Sequence, residues 1–149
     1  MSPGIRDLKV WQESVALGGD IVRAVRRHGR RETKAFTDLL LAAAGTVASL
    51  VAEGYGRGSA ADQHQCYLRA KSALVDLETQ LAIARHADLI PATTTTQINA
   101  RAHAVARLLG GYLAHLERQV EAERALPRAV EPFAFAVTAR SPGSARDHV

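Results

Sequence analysis

The sequence predicts an all-α protein, an antiparallel up-down-up-down four-helix bundle, on three observations. The stretch from Leu39 to Ala52 carries no charge, and Phe36, Leu40, Ala43, Val47 and Leu50 keep the 4-3-4-3 rhythm of a helix seam. The rhythm returns in Tyr67, Ala70, Leu74, Leu77, Leu81 and Ala84, and again in Ile98, Ala102, Val105, Leu109, Tyr112 and Leu116. No segment reads as a strand-turn-strand repeat, and short loops join the periodic runs. A chain of 149 residues has room for one domain with a real core.

Helix one is expected from about Ile5 to His28. Leu8, Trp11, Val15, Val22 and Val25 form its stripe, with Val10, Leu17 and Ile21 beside it. Asp7 suits the positive end of the helix dipole. Gly18-Gly19 costs about 1 kcal/mol per Gly relative to Ala, which makes sense if another backbone comes close there. Gly29 is the expected terminator.

Helix two is expected from about Glu32 to Glu53. Leu39, Leu41, Ala44, Ala48 and Val51 make its other faces apolar, so it must be surrounded by protein or lipid. Its fourteen uncharged residues read as too short and too weakly apolar to span a bilayer. The helix is therefore expected to face its own chain on one side and another subunit on the other. The run Gly54-Tyr55-Gly56-Arg57-Gly58 ends it.

Ser59 with Asp62 forms a capping box for helix three, which continues to about Asp88 and carries a second row of Leu68, Val75 and Ala82. Pro91 breaks the chain, and Thr94 with Gln97 reads as the cap of helix four, which ends before Pro127. Residues 1–126 are thus read as the bundle and 127–149 as a flexible tail, with Phe133-Ala134-Phe135 a docking spot.

Chemistry is sparse. The single cysteine, Cys66, excludes an internal disulfide and a Cys-based zinc site. The six histidines are scattered, without a Glu-x-x-His pair for a bundle di-metal site. No nucleophile-base spacing stands out. The expectation is no enzyme, no metal and no cofactor. The N-terminal MSPGIRDLKVW shows no secretory signal, so a cytoplasmic protein without a membrane partner is expected. Trp11, Tyr67 and Tyr112 hold seam positions and read as core, not as base-stacking platforms.

Charge gives the best lead to a partner. The net charge is +4, of which residues 127–149 supply +1. Arg23, Arg26, Arg27, Arg30, Arg31 and Lys34 are set against one acid, Glu32. Arg23/Arg27 and Arg27/Arg31 are like-charged at i,i+4, repulsive on a helix unless they share an anion. Two readings stay open: a nucleic-acid contact, or a solvated cationic end that suits its own helix dipole.

The glycine-rich turn also has two readings. Gly54, Gly56 and Gly58 around Arg57 could cradle a phosphate ahead of a helix, or could serve a helix cap and tight reversal at positive φ. No Walker lysine or preceding strand supports a nucleotide fingerprint, and the structural reading is favoured. Glu53 in the last turn opposes the dipole and needs a partner, from among Arg57, the Tyr55 hydroxyl, the Trp11 N–H or a neighbouring subunit's arginine. Glu78 and Gln80 are expected in the same network.

DLKVWQES near the start, VAEGYGRGS at the turn and LVDLETQLAIARHADLI in helix three occur in that order and spacing. Over about Ile5 to Glu123 the chain resembles the bacterial four helix bundle protein family, also named for the intervening sequences of 23S ribosomal RNA genes. It is similar in fold to the accessory variability proteins of diversity-generating retroelements. The resemblance implies a homo-oligomeric ring of five subunits and no enzymatic activity. From the retroelement relatives it implies a basic surface for RNA and a reverse transcriptase. Relatives carry a basic pair and a Ser-Ile-Pro-Ser-Asn run in helix two, where this chain has Leu39-Leu40-Leu41-Ala42-Ala43-Ala44-Gly45-Thr46. The expected function is a non-enzymatic RNA-binding oligomer. A protein-interaction scaffold is the alternative, and a small-ligand binder in the bundle or ring pore is a third reading.

Overall fold

Four helices, and no strand among the described residues, form the structure, a computed structural model in which residues 4–126 are described. They are α1 (Lys9–His28), α2 (Lys34–Tyr55), α3 (Ala60–His86) and α4 (Ala92–Ala125). Single 3-10 turns, Ile5–Asp7 and Arg31–Thr33, lead into α1 and α2. The tail and Phe133-Ala134-Phe135 lie outside the described residues. α1 packs on α2 and α4, and α3 packs on the same two, so the helices surround one core.

That core is built where the seams meet. Leu40 and Val47 of α2, Leu74, Leu77 and Leu81 of α3, and Val105 and Leu109 of α4 are at most 1% exposed. Each such side chain contributes about 1.5–3 kcal/mol of burial. Three hydroxyls share the interior because each is spent on its own helix. Ser14 donates to the Val10 carbonyl at 2.6 Å, Thr37 to Lys34 at 2.9 Å and Thr95 to Ala92 at 3.0 Å.

The stripe on α1 needs correction. The buried row is Val10, Ser14, Leu17, Ile21 and Ala24, whereas Val15 and Val22 are 45% and 41% exposed. Two apolar rows compete on this helix, and the buried serine hides the true one. On α2, Phe36 and Ala43 pack at the margin, while Thr37, Leu40, Ala44, Val47 and Val51 go inside.

Close approach of a neighbouring helix explains two glycines. A Cβ on Gly18 would lie 3.1 Å from the Ala44 carbonyl oxygen of α2. One on Gly54 would lie 3.0 Å from Tyr67 Cε1 and 3.1 Å from Cys66 Cβ of α3. Gly19, by contrast, meets only the Arg23 side chain at 3.5 Å, so no foreign backbone accounts for it.

The connections differ in kind. Gly29 caps α1, its N–H donating to the Val25 carbonyl at 2.7 Å. Ser59 caps α3 by accepting from the Asp62 N–H at 3.2 Å. Thr94 is not a cap: α4 starts after Pro91, and Thr94 lies in its first turn. Between α3 and α4, Asp88 takes a positive φ of 54° and turns Leu89 and Ile90 inward, at 7% and 1% exposure. Their amides both reach the Ala84 carbonyl.

Arg31–Tyr55 is long and apolar enough to cross a bilayer by length and composition, with a mean hydropathy of 1.7 over its most apolar window, of which 33% is buried. That span is longer than the fourteen uncharged residues within it, and the core helix of a bundle meets the same measure. Its unburied residues between Asp38 and Glu53, among them Leu39 at 54%, Ala42, Gly45 and Ser49, carry no charge. Thr46 joins them with its hydroxyl turned back to the Ala42 carbonyl at 3.0 Å.

Candidate nucleic-acid interface

The last turns of α1 and the loop after it carry the arginines. Arg23, Arg26 and Arg27 bracket one shallow depression. Gly29 ends the helix, so Arg30 follows in extended conformation and Arg31 opens the next 3-10 turn. Arg23 is paired with Asp20 and Lys34 with Asp38. Arg26, Arg27, Arg30 and Arg31 make no ion pair with a described residue. Arg26 and Arg27 also sit in the last turn of α1, where the negative end of its dipole stabilises their charge.

The cluster divides between two clefts. One, of about 440 Å³, sets Arg23, Arg27 and His28 of α1 against Thr94, Gln97 and Arg101 of α4. Arg101 is anchored there, donating from Nε to Asp20 at 2.6 Å and from Nη1 to Glu13 at 2.9 Å. Asp20 first, then Glu13, raises the Arg101 pKa, keeping the guanidinium charged. Lys9, with help from Arg101, holds the Glu13 carboxyl below its usual range, against a smaller opposing effect of burial. The second cleft, of about 420 Å³, has Arg30 on its rim and Phe36, Ile83 and Leu89 among its apolar walls. Arg30 therefore faces a different recess from Arg27. Sequence reasoning missed the α4 wall, because nothing local in α4 marks Arg101 as the partner of carboxylates on α1.

The turn after α2 is structural in its geometry. Gly54 and Tyr55 are the last residues of α2, and Gly56 is its cap at φ −79°, with no glycine at positive φ among the described residues. The positive-φ expectation is thus overturned, and Gly54 is explained by the approach of α3. The Gly56 and Arg57 amides donate to the Ala52 and Gly54 carbonyls at 3.2 and 3.1 Å, so they are not free to cradle an anion. Gly58 is exposed and a Cβ there would meet nothing.

Glu53 is only part-buried, pairs with Arg57, and lies 3.7 Å from Arg69 of α3. Arg57 first, and Arg69 further, hold its carboxyl below the usual range. Glu78 instead faces His103 of α4 at 3.7 Å, and the buried Gln80 Oε1 has no hydrogen-bond partner among the described residues. The proposed network therefore does not include Glu78 or Gln80. Tyr67 is core, its ring centroid 6.0 Å from that of Tyr112, and burial pushes its hydroxyl up to about 12. Among the described residues no three His, Cys, Asp or Glu side chains converge as metal ligands.

A family model described as 23S rRNA-intervening sequence protein matches residues 6–111. The chain belongs to this family. A search of curated proteins finds no match. In this member of the 23S rRNA-intervening sequence family, the α2 segment 39–46 is uncharged, with Leu39, Ala42, Gly45 and Thr46 exposed and Leu40 and Ala44 in the core. Four arginines without an ion-pair partner among the described residues, Arg26, Arg27, Arg30 and Arg31, lie within six positions at the junction of α1 and α2, and others, such as Arg85 and Arg107, are spread over α3 and α4.

Proposed function

We propose that this family member is a non-enzymatic homo-oligomer that binds RNA, or an RNA–protein complex, through the basic junction of α1 and α2. The observation that carries the reading is the set of four arginines, Arg26, Arg27, Arg30 and Arg31, without a carboxylate partner among the described residues. Cations left unpaired in this way release counterions when they meet phosphates, which is the main source of affinity for nucleic acid. The family's name, with its reference to 23S rRNA, agrees with an RNA-related role.

Assembly is the second part of the proposal. A helix with an uncharged outer face loses less to water when a second copy covers it. Val15 and Val22 on α1 and Val75 on α3, all more than 40% exposed, extend the apolar surface to other sides. Several distinct apolar faces favour a head-to-tail ring over a two-fold dimer, and the resemblance implies five subunits. An antiparallel arrangement within each subunit is supported by contacts that run in opposite order: His64 meets Glu117, and Glu78 meets His103. A ring would multiply the basic junction and let weak contacts sum. The exposed apolar surface also favours a second reading, a ring that recruits a partner protein, such as a reverse transcriptase, and touches no nucleic acid.

Salt separates the two. RNA affinity should fall about ten-fold or more between low and physiological salt. The slope of log affinity against log salt should shrink by about 0.7–0.9 for each contacting arginine replaced by alanine. Absence of RNA binding at every salt concentration would leave the scaffold reading.

A further inference from the structure

We propose that the cleft between α1 and α4 is a seat for a phosphate group, held by Arg27 of α1 together with Thr94 and Gln97 of α4. The inference rests on the basic-surface reading and deepens it by naming the chemical group gripped and the second wall that grips it.

The charges in the cleft are unequal in their commitments. Arg23 and Arg101 are tied to Asp20, and Arg101 also to Glu13, a carboxylate it shares with Lys9, so both guanidiniums are already committed to partners within the chain. Arg27 lines the same cleft and has no ion-pair partner among the described residues. One uncompensated guanidinium, set beside a fixed ion-pair lattice, matches the single negative charge of a phosphodiester.

The opposite wall supplies neutral donors with nothing else to do. In the run Thr93–Thr96, the hydroxyls of Thr95 and Thr96 donate to the Ala92 carbonyl. The Thr94 hydroxyl and the Gln97 amide, which line the cleft, make no side-chain hydrogen bond to a described residue. At about 440 Å³ the cleft admits a phosphate with part of its hydration. A phosphodiester of RNA and a free phosphate present the same non-bridging oxygens to a guanidinium and neutral donors, the free ion with more charge, and the test distinguishes them.

The probes are inorganic pyrophosphate, titrated calorimetrically at constant ionic strength, and a short fluorescein-labelled RNA hairpin followed by anisotropy. The full chain is compared with Gln97→Glu, which puts a carboxylate into the cleft at an exposed position, and with Arg31→Ala outside it. The wild type should bind pyrophosphate saturably, Gln97→Glu at least about ten-fold more weakly, and Arg31→Ala as the wild type does. Equal affinity in Gln97→Glu, or no saturable binding by the wild type, overturns the seat. The RNA arm keeps the two ideas apart. If an Arg26→Ala, Arg30→Ala, Arg31→Ala variant loses RNA while Gln97→Glu is silent in both assays, the basic surface stands and the seat falls. If pyrophosphate binds as expected and no RNA binds, the seat holds a free phosphate and the nucleic-acid reading falls.

Discussion

Replacing Gly54 by alanine tests the packing of α2 on α3. The added Cβ would lie 3.0 and 3.2 Å from Tyr67 Cε1 and Cδ1, and 3.1 Å from Cys66 Cβ. Carbon atoms in good contact stand about 3.5–4.0 Å apart, so the neighbours must move by about half an ångström. They have little freedom. Tyr67 is 3% exposed against Tyr112, and the Cys66 Cβ is fixed to the α3 backbone. Overpacking of this kind costs about 1–3 kcal/mol, and the better helix propensity of alanine returns about 1 kcal/mol. The balance is a loss of about 1 kcal/mol, or about 3–5 °C in Tm. Gly110→Ala in α4 is the reference, because its Cβ would meet nothing within 4 Å and should gain up to about 1 kcal/mol. Circular-dichroism melts at one fixed protein concentration compare the two. A Gly54→Ala protein that melts as high as Gly110→Ala would refute the argument that α3 restricts this position.

Other outcomes follow from the same contacts. Leu39→Glu places a charge on the uncharged outer face of α2, and light scattering should show the assembly falling to 16.0 kDa with helicity kept. A wild type already at 16.0 kDa at micromolar concentration would remove the ring. Arg101→Met leaves Glu13 to Lys9 and Asp20 to Arg23 but removes the cation the two carboxylates share, and should cost about 1 kcal/mol, less at high salt, by denaturant midpoint. Glu13 and Glu53 have folded pKa values lowered chiefly by Lys9 and Arg57. Their stabilisation is complete above the unfolded value of about 4.3 and is lost as pH falls through the lower folded value. Tm should therefore drop below about pH 4.3, less steeply in a Glu13→Gln, Glu53→Gln protein. Near neutral pH, Glu53→Gln alone should change Tm little, because the pair is exposed.

What the sequence made legible was what is local. The seams of α3 and α4 matched the buried residues, apart from Tyr112, which is half-buried, and Ser59 signalled its cap through a three-residue spacing. The stripe of α1 was misplaced by one position, since Val15 and Val22 are as apolar as Val10 and Leu17, and a buried serine carries no pattern. Thr94 imitated a cap because four consecutive threonines blur where a helix begins. The α4 wall of the cleft could not be read at all. Arg101 meets Asp20 and Glu13 across 81 and 88 residues of chain, a distance over which spacing carries no signal. The basic cluster was visible as composition, but its division between two clefts depends on how α1 and α2 join.

Leu89 and Ile90 make the two ends of the molecule unlike. At one, the connector itself is a stopper, with two aliphatic side chains pressed into the mouth of the bundle. At the other, residues 55–59 are all exposed to solvent. A peptide tag or a chain break placed at Gly58 would leave the interior shut, whereas the same insertion after Leu89 would uncork it. Of these two connections, the glycine-rich one is the natural handle for a label.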